Sequence, residues 1–370
     1  QARLVFAGAE SPHLPARALG VALFAWLPLC VIELLTRHQA DVQVTFFQDI
    51  ASYVRFLVVI PVLILAEGAV SRRTRMVATY FAMSGLVRAE EAPRFVAAVH
   101  ATRKRAESVL AEAILLALAC VAIWFSVRAL THDGVVFWYE APDASGERLT
   151  FAGWWYAYVA SPIVMFLFLR WGWRYLVWWM FLHRVSKLDL QIVGTHPDRA
   201  GGLGFVTIGH NAFTMCTFAM SAVLAAAAAN RILYQGVALK EYQSVIIGIV
   251  VVQIVLGLIP LLVFTRRLVM AKRRGLLQYG ELGSHYVQLF HRKWVEKEDP
   301  QDEPLLGTGD IQSLADIGGS FERLQTMSAV PFDRRTVMVF AAAAAVPMLP
   351  LLLIVMPLRD MVRLLVKAMI

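Results

Sequence analysis

Charge is scarce in this sequence. Asp, Glu, Lys and Arg make up only 17% of its 370 residues, against about 25% in soluble domains. With 58% apolar residues and a mean hydropathy of +0.60, the chain has too few polar side chains to cover a water-facing globule. Cysteine is nearly missing too. Cys30, Cys120 and Cys216 each lie inside an apolar run, and no two share metal-ligand spacing, so they read as buried free thiols. The box Leu27-Pro28-Leu29-Cys30 lacks the small residues of a lipoprotein cleavage site, and the apolar run continues past it. The chain opens at Gln1 rather than Met, which reads as missing N-terminal residues, and no secretory signal is evident. Nucleophile elbow, HExxH and paired-carboxylate signatures are absent. So are a tandem repeat and the interleaved basic-aromatic surface of a nucleic-acid module.

What the chain does have is long hydrophobic runs. A membrane-crossing helix needs about 20 apolar residues, and seven stretches qualify: Ala16–Thr36, Ile50–Val70, Glu107–Leu130, Phe151–Phe181, Phe205–Ala229, Val245–Phe264 and Val337–Met356. The expected fold class is therefore an all-α integral membrane protein with six or seven transmembrane helices and cytoplasmic helical extensions. The net charge of +8 is read through the positive-inside bias. Eight basic residues crowd Ser71–Ala106, and Arg266, Arg267, Lys272, Arg273 and Arg274 follow the sixth run, whereas Thr131–Thr150 is acidic through Asp133, Glu140, Asp143 and Glu147. Alternation then gives a cytoplasmic N-terminus and an outside C-terminus. The tail 358–370, with Arg359, Arg363 and Lys367, fits that side poorly.

The resulting divisions are 1–70 with the first two spans, a cytoplasmic helical hairpin at 71–106, spans three to six at 107–265 with a glycine-rich loop at 189–204, a cytoplasmic helical segment at 266–334, and the last span with its amphipathic tail at 335–370. In 266–334, Leu268, Leu276, Tyr279, Leu282, Tyr286, Phe290 and Trp294 recur at three- and four-residue steps, so an amphipathic helix extends from the sixth span. Asp310–Met327 reads as another helix, strained by Gly318-Gly319.

The loop His196-Pro197-Asp198-Arg199-Ala200-Gly201-Gly202-Leu203-Gly204 brings an imidazole, a carboxylate, a guanidinium and three glycines into nine residues. Together with Asp310-Ile311-Gln312-Ser313-Leu314-Ala315-Asp316 and Val330-Pro331-Phe332, it resembles a family of uncharacterised bacterial polytopic inner-membrane proteins. The resemblance implies a bacterial, multi-pass, inner-membrane protein, and carries over no catalytic residue because no activity is assigned to that family.

Three groups of residues are candidates for function. Intramembrane charges are costly, about 2.5–3.5 kcal/mol each on insertion scales, and need partners. The topology places Glu33, Arg55 and Arg128 toward the outer face and Glu67, Glu112, Arg170 and Arg174 toward the inner face, as an ion pathway with an inner vestibule or as structural ion pairs. Thr207, His210, Asn211, Thr214, Thr217 and Ser221 draw a polar stripe along the fifth span, lining a pore or cavity or packing against neighbouring helices. In the glycine-rich loop, His196, Asp198, Arg199, Gly201 and Gly202 form either an anion cradle at a helix N-terminus or a tight turn capped by Asp198. His196 and Asp198 make half a metal site with no second pair of ligands visible, so neither a metal nor a cofactor is expected.

The leading functional expectation is a homo-oligomeric, channel- or transporter-like protein of the bacterial inner membrane moving a small solute or ion. A non-catalytic scaffold or regulatory subunit with a protein partner on the cytoplasmic side is the alternative. A membrane enzyme stands third. The expected partners are the lipid bilayer and further copies of the chain, not nucleic acid.

Overall fold

A computed structural model describes residues 13–36, 42–128, 136–141, 148–296 and 309–355. Seven helices in it are long and apolar enough to cross a membrane. In chain order the helices are α1 (Leu14–Leu35), α2 (Ile50–Met83), α3 (Ala92–Ala106), α4 (Val109–Arg128), α5 (Phe151–Ser186), α6 (Val206–Tyr234), α7 (Leu239–Glu296), α8 (Gly309–Thr326) and α9 (Arg334–Leu351). The extended structure is small: a two-residue ribbon pairs β1 (Glu140–Ala141) with β2 (Arg148–Leu149), and two isolated bridges join loops. The chain is thus an all-α, multi-pass membrane protein. The carboxylates Asp133, Asp143 and Glu147, the linker after Glu296 and the tail 358–370 lie outside the described residues.

Length separates the helices into two kinds. At 1.5 Å per residue, the 34 residues of α2 and the 58 of α7 reach about 51 and about 87 Å, well beyond a hydrocarbon thickness of about 30 Å. The polar halves, after Val70 in α2 and after Phe264 in α7, gather on one side with α3, α8 and the loop before α6. This is called the loop side; β1 and β2 mark the opposite, ribbon side.

Local chemistry explains the irregular turns. Asp49, Thr150 and Asp333 cap α2, α5 and α9 by accepting the backbone N–H groups of Ser52, Gly153 and Thr336. Wide π-helical turns occupy Val54–Val59 in α2 and Tyr156–Ala160 in α5. Each lies just ahead of a proline, Pro61 or Pro162. A proline donates no N–H and crowds the carbonyl four residues back, here those of Leu57 and Tyr158, so the turn opens there.

Packing follows small residues. Ala18, Ala22, Ala25 and Leu29 form one buried stripe of α1 facing α2, and Ala219, Ala222, Ala225, Ala226 and Ala229 are buried along α6. Small side chains let helix backbones approach closely where no water drives association. The outward face of α7 is the converse: Val245, Ile247, Val251, Val252, Val255 and Leu256 are all more than half exposed. Water would not tolerate so continuous an apolar wall, and lipid chains suit it.

On the loop side, the polar half of α7 pairs with α8. Gly275, Gly280 and Gly283 meet Leu324, Phe321 and Ile317, and Lys272 Nζ donates to the carbonyls of Gln325 and Met327, each at 2.8 Å, closing the C-terminal end of α8. At its other end, Lys293 and Trp294 bond the Asp310 carboxylate at 3.0 Å each, and these bonds hold that carboxyl below its ordinary pKa. Gly318 and Gly319 have open space around them, so α8 runs through both.

Candidate functional site

The four charges Glu67, Glu112, Arg170 and Arg174 converge. Arg170 bridges two helices at once: its Nη1 bonds Glu67 of α2, and its Nε lies 2.9 Å from Oε1 of Glu112 on α4. Arg174 Nη2 adds a longer contact to Glu67 at 3.8 Å, while its guanidinium lies 5.4 Å from the Trp171 ring centre. The i,i+4 spacing of the arginines puts both on one face of α5. Two acids and two bases make the cluster neutral, which is how charges are held at membrane depth. Trp171 Nε1 donates to the Leu63 carbonyl at 3.0 Å and ties the same faces of α2 and α5 together.

One member of this cluster, Arg174, also lines a cavity of about 340 Å³. Glu67 continues into the cavity wall through Val70, Ser71, Thr74 and Ala78, a sequence of one-turn steps along one face of α2. Opposite stand Thr102 and Arg103 of α3, and Arg174, Val177, Trp178 and Phe181 of α5. Thr74 and Thr102 donate their hydroxyls to the carbonyls of Val70 and Ala98 on their own helices, which satisfies both donors locally. Arg75 and Arg103 also stand in the walls, Arg103 paired to Glu107 at 3.0 Å. The cavity is an amphipathic vestibule whose largely apolar walls also carry Arg75, Arg103, Glu107 and Arg174.

Two members of the polar stripe of the fifth span, His210 and Ser221, bond neighbouring helices. His210, fully buried, places Nε2 on the Gly257 carbonyl of α7 and accepts from Trp178 Nε1 at 3.3 Å through Nδ1. Ser221 donates to Gln253 Oε1 at 2.9 Å. Thr207 and Thr214 bond the carbonyls of Gly204 and Asn211 one turn back. Asn211 Oδ1 and Gln253 Nε2 are buried without a hydrogen-bond partner among the described residues. Thr217 is half-buried in the same helix.

The glycine-rich loop forms a cradle of converging N–H groups whose occupant is its own carboxylate. Asp198 accepts from the N–H groups of Ala200 (2.8 Å), Gly202 (3.1 Å) and Gly204 (2.9 Å), with His196 Nδ1 at 2.8 Å. Partial burial works to raise this carboxyl's pKa, and these bonds outweigh it, holding it below the ordinary carboxylate range. Arg199, Gly201 and Gly202 take positive φ values of 55°, 63° and 91° to close the turn. The loop is anchored from behind: Ser328 N–H donates to the Arg199 carbonyl at 2.7 Å, and Ile192, Leu268 and Met327 pack beneath Gly201.

The remaining charges sit near the ribbon side. Glu33 accepts weakly from the Phe46 N–H at 3.4 Å, and Arg55 bonds the Tyr156 hydroxyl; the Arg128 side chain lies outside the described residues. The principal group that sequence reasoning passed over is Asp49. It is buried, and its carboxylate accepts from Ser52 N (3.3 Å), Ser52 Oγ (2.5 Å), Trp138 Nε1 (3.1 Å) and Asn230 Nδ2 (2.6 Å), knitting α2, α6 and the Val136–Ala141 segment together. The available signal was an Asp directly ahead of an apolar run with Ser three residues on, a helix-capping pattern. Among the described residues, no three His, Cys, Asp or Glu side chains are arranged to hold a metal ion. Compared with protein-family models, curated proteins and solved structures, the chain matches none.

Proposed function

We propose that this chain is a channel- or transporter-like protein that moves a small solute or ion across the bacterial inner membrane, with its N-terminus and loop side in the cytoplasm. One observation carries this reading: a cavity between α2, α3 and α5 is lined by Arg174, a member of the neutral cluster of four charges that joins three membrane-crossing helices. Glu67 has two bases within reach, Arg170 and, at 3.8 Å, Arg174, and such a shared carboxylate suits a gate, because it passes from one base to the other without being stranded. The resemblance of the Thr195–Gly204 and Asp310–Asp316 segments to bacterial polytopic membrane proteins supports the cellular placement.

The test is flux through purified protein in liposomes, together with cysteine accessibility at Thr74→Cys and Thr102→Cys in a background freed of the three native cysteines. Flux that changes with Arg170→Gln, and thiol labelling from the loop side that a transported solute blocks, are the expected results. Absence of flux for ions and small solutes at every voltage and gradient overturns the reading.

A second reading, a scaffold or regulatory subunit, rests on a different feature. The α7–α8 hairpin carries Leu277, Leu282, Val287, Leu289 and Val295 at 46% exposure or more. So many exposed apolar side chains on one helix suit a second copy or a protein partner. A stoichiometric partner that co-purifies and is lost on removing 277–326, with no flux in liposomes, favours that reading over transport.

A further inference from the structure

A second cavity, of about 390 Å³, lies nearer the ribbon side between α2, α4, α5 and α6. It is separate from the vestibule, and a ligand could occupy it whether or not the chain transports anything. Its walls are mostly apolar, formed by Ile123, Val164, Met165, Phe168 and Val223, with Tyr139 and Leu149 from the ribbon region at one edge. One cation faces this space. Arg55 carries five N–H donors, and among the described residues its hydrogen bond is to the Tyr156 hydroxyl.

The nearby carboxylate does not complete the guanidinium. Asp49 is within electrostatic reach of Arg55, but its oxygens are already bonded by Ser52, Trp138 and Asn230. Ser126, also in the wall, donates to the Ala122 carbonyl of its own helix at 2.9 Å. A guanidinium in an apolar, membrane-embedded pocket with most of its donors unmatched is costly unless an acceptor arrives. Arg55 and Tyr156 are also held there by construction. They occupy the two π-helical turns opened by Pro61 and Pro162, and such turns recur at functional sites. Tyr139 stacks on Tyr156 with ring centres 5.4 Å apart and planes 10° apart, which fixes the hydroxyl that orients Arg55.

We propose that this cavity binds an amphiphile with a single anionic head, a carboxylate or phosphodiester, seated on Arg55, with its hydrocarbon along Ile123, Val164, Met165 and Phe168. The cation supplies charge-assisted, two-pronged hydrogen bonds to an oxyanion. The apolar walls take the chain, and the volume falls in the ordinary range of small-molecule sites. A free fatty acid and an anionic phospholipid share this chemistry.

The test is binding to the purified full chain in detergent, read by native mass spectrometry and competition. The probes are oleate, dioleoylphosphatidylglycerol, and the uncharged methyl oleate and dioleoylglycerol. One site is expected for an anionic probe, with its neutral counterpart at least about tenfold weaker, since a hydrogen bond to a charged group contributes roughly ten- to hundredfold. Arg55→Gln is expected to weaken the anionic probe by the same factor. Val164→Trp, which keeps the cation and fills the cavity, abolishes binding without lowering the melting temperature by more than a few degrees. Oleate binding that depends on Arg55 identifies a free fatty acid as ligand, and phosphatidylglycerol binding with that dependence identifies a membrane lipid. Equal binding of charged and neutral probes, or undiminished binding to Val164→Trp, overturns the proposal even if Arg55→Gln fails to fold. Failure of the transport assay leaves all of these readouts unchanged.

Discussion

Removing the Arg170 charge tests the intramembrane cluster most directly. In Arg170→Gln, Glu67 keeps only the 3.8 Å contact from Arg174, and Glu112 loses its 2.9 Å partner. Glu67 dominates the cost, because its side chain is 13% exposed whereas that of Glu112 is 42% exposed. Stranding one member of a buried pair costs about 3–5 kcal/mol, and the remaining Arg174 puts this case near the lower end, about 3 kcal/mol. Glu67→Gln leaves Arg170 bonded to Glu112, so its cost is smaller, about 1–2 kcal/mol. The double variant Glu67→Gln/Arg170→Gln retains one acid and one base and is neutral again. The two losses are therefore non-additive, with a coupling of about 2 kcal/mol, within the range measured for residues in contact. The assay is equilibrium unfolding in mixed detergent–dodecyl sulfate micelles for all four proteins, where that coupling is roughly thirtyfold in the unfolding constant. Additivity within about 0.5 kcal/mol would refute the reasoning, since it would mean that the two side chains do not sense each other.

Other outcomes follow from individual contacts. Asp198→Ala frees three backbone N–H groups and is expected to destabilise the chain by about 1–3 kcal/mol at neutral pH and to expose the Arg199–Ala200 bond to trypsin. Because the folded carboxyl sits below its ordinary pKa, the wild-type advantage is complete above about pH 4 and disappears as pH falls through the lower folded value, which melting of both proteins from pH 7 to pH 2 measures. Gly201→Ala combines a φ of +63° with a Cβ that would overlap Ile192 Cγ2 and is expected to cost at least about 1–2 kcal/mol, read as a lower melting temperature. His210→Phe strands the Trp178 N–H in the core and leaves the Gly257 carbonyl to the Tyr175 hydroxyl at 2.9 Å alone, a loss of about 1–3 kcal/mol with a shift in tryptophan fluorescence; unchanged fluorescence and stability would contradict that geometry.

The sequence by itself determined the seven spans, because membrane crossing is a local requirement. Each run must be long and apolar enough, and must close its own backbone hydrogen bonds, whatever the rest of the chain does. The long amphipathic continuation of α7 was legible for the same reason, from a periodicity contained in one helix. That Glu67, Glu112, Arg170 and Arg174 belong at one depth also follows from counting residues along each run. Only the tertiary structure decided which charges meet. The contacts of Arg170 join residues 58 and 103 positions apart, and nothing local says which helices are neighbours. Tertiary contacts likewise made Asp49 a buried hub, since its partners Trp138 and Asn230 lie 89 and 181 residues away. They turned His210 and Ser221 of α6 toward α5 and α7, and left the Arg55 guanidinium facing a cavity while the nearby carboxylate of Asp49 was taken by other donors. Hydropathy fixes where a helix must lie along the membrane normal, and its rotation and partners are fixed by packing between segments distant in the chain.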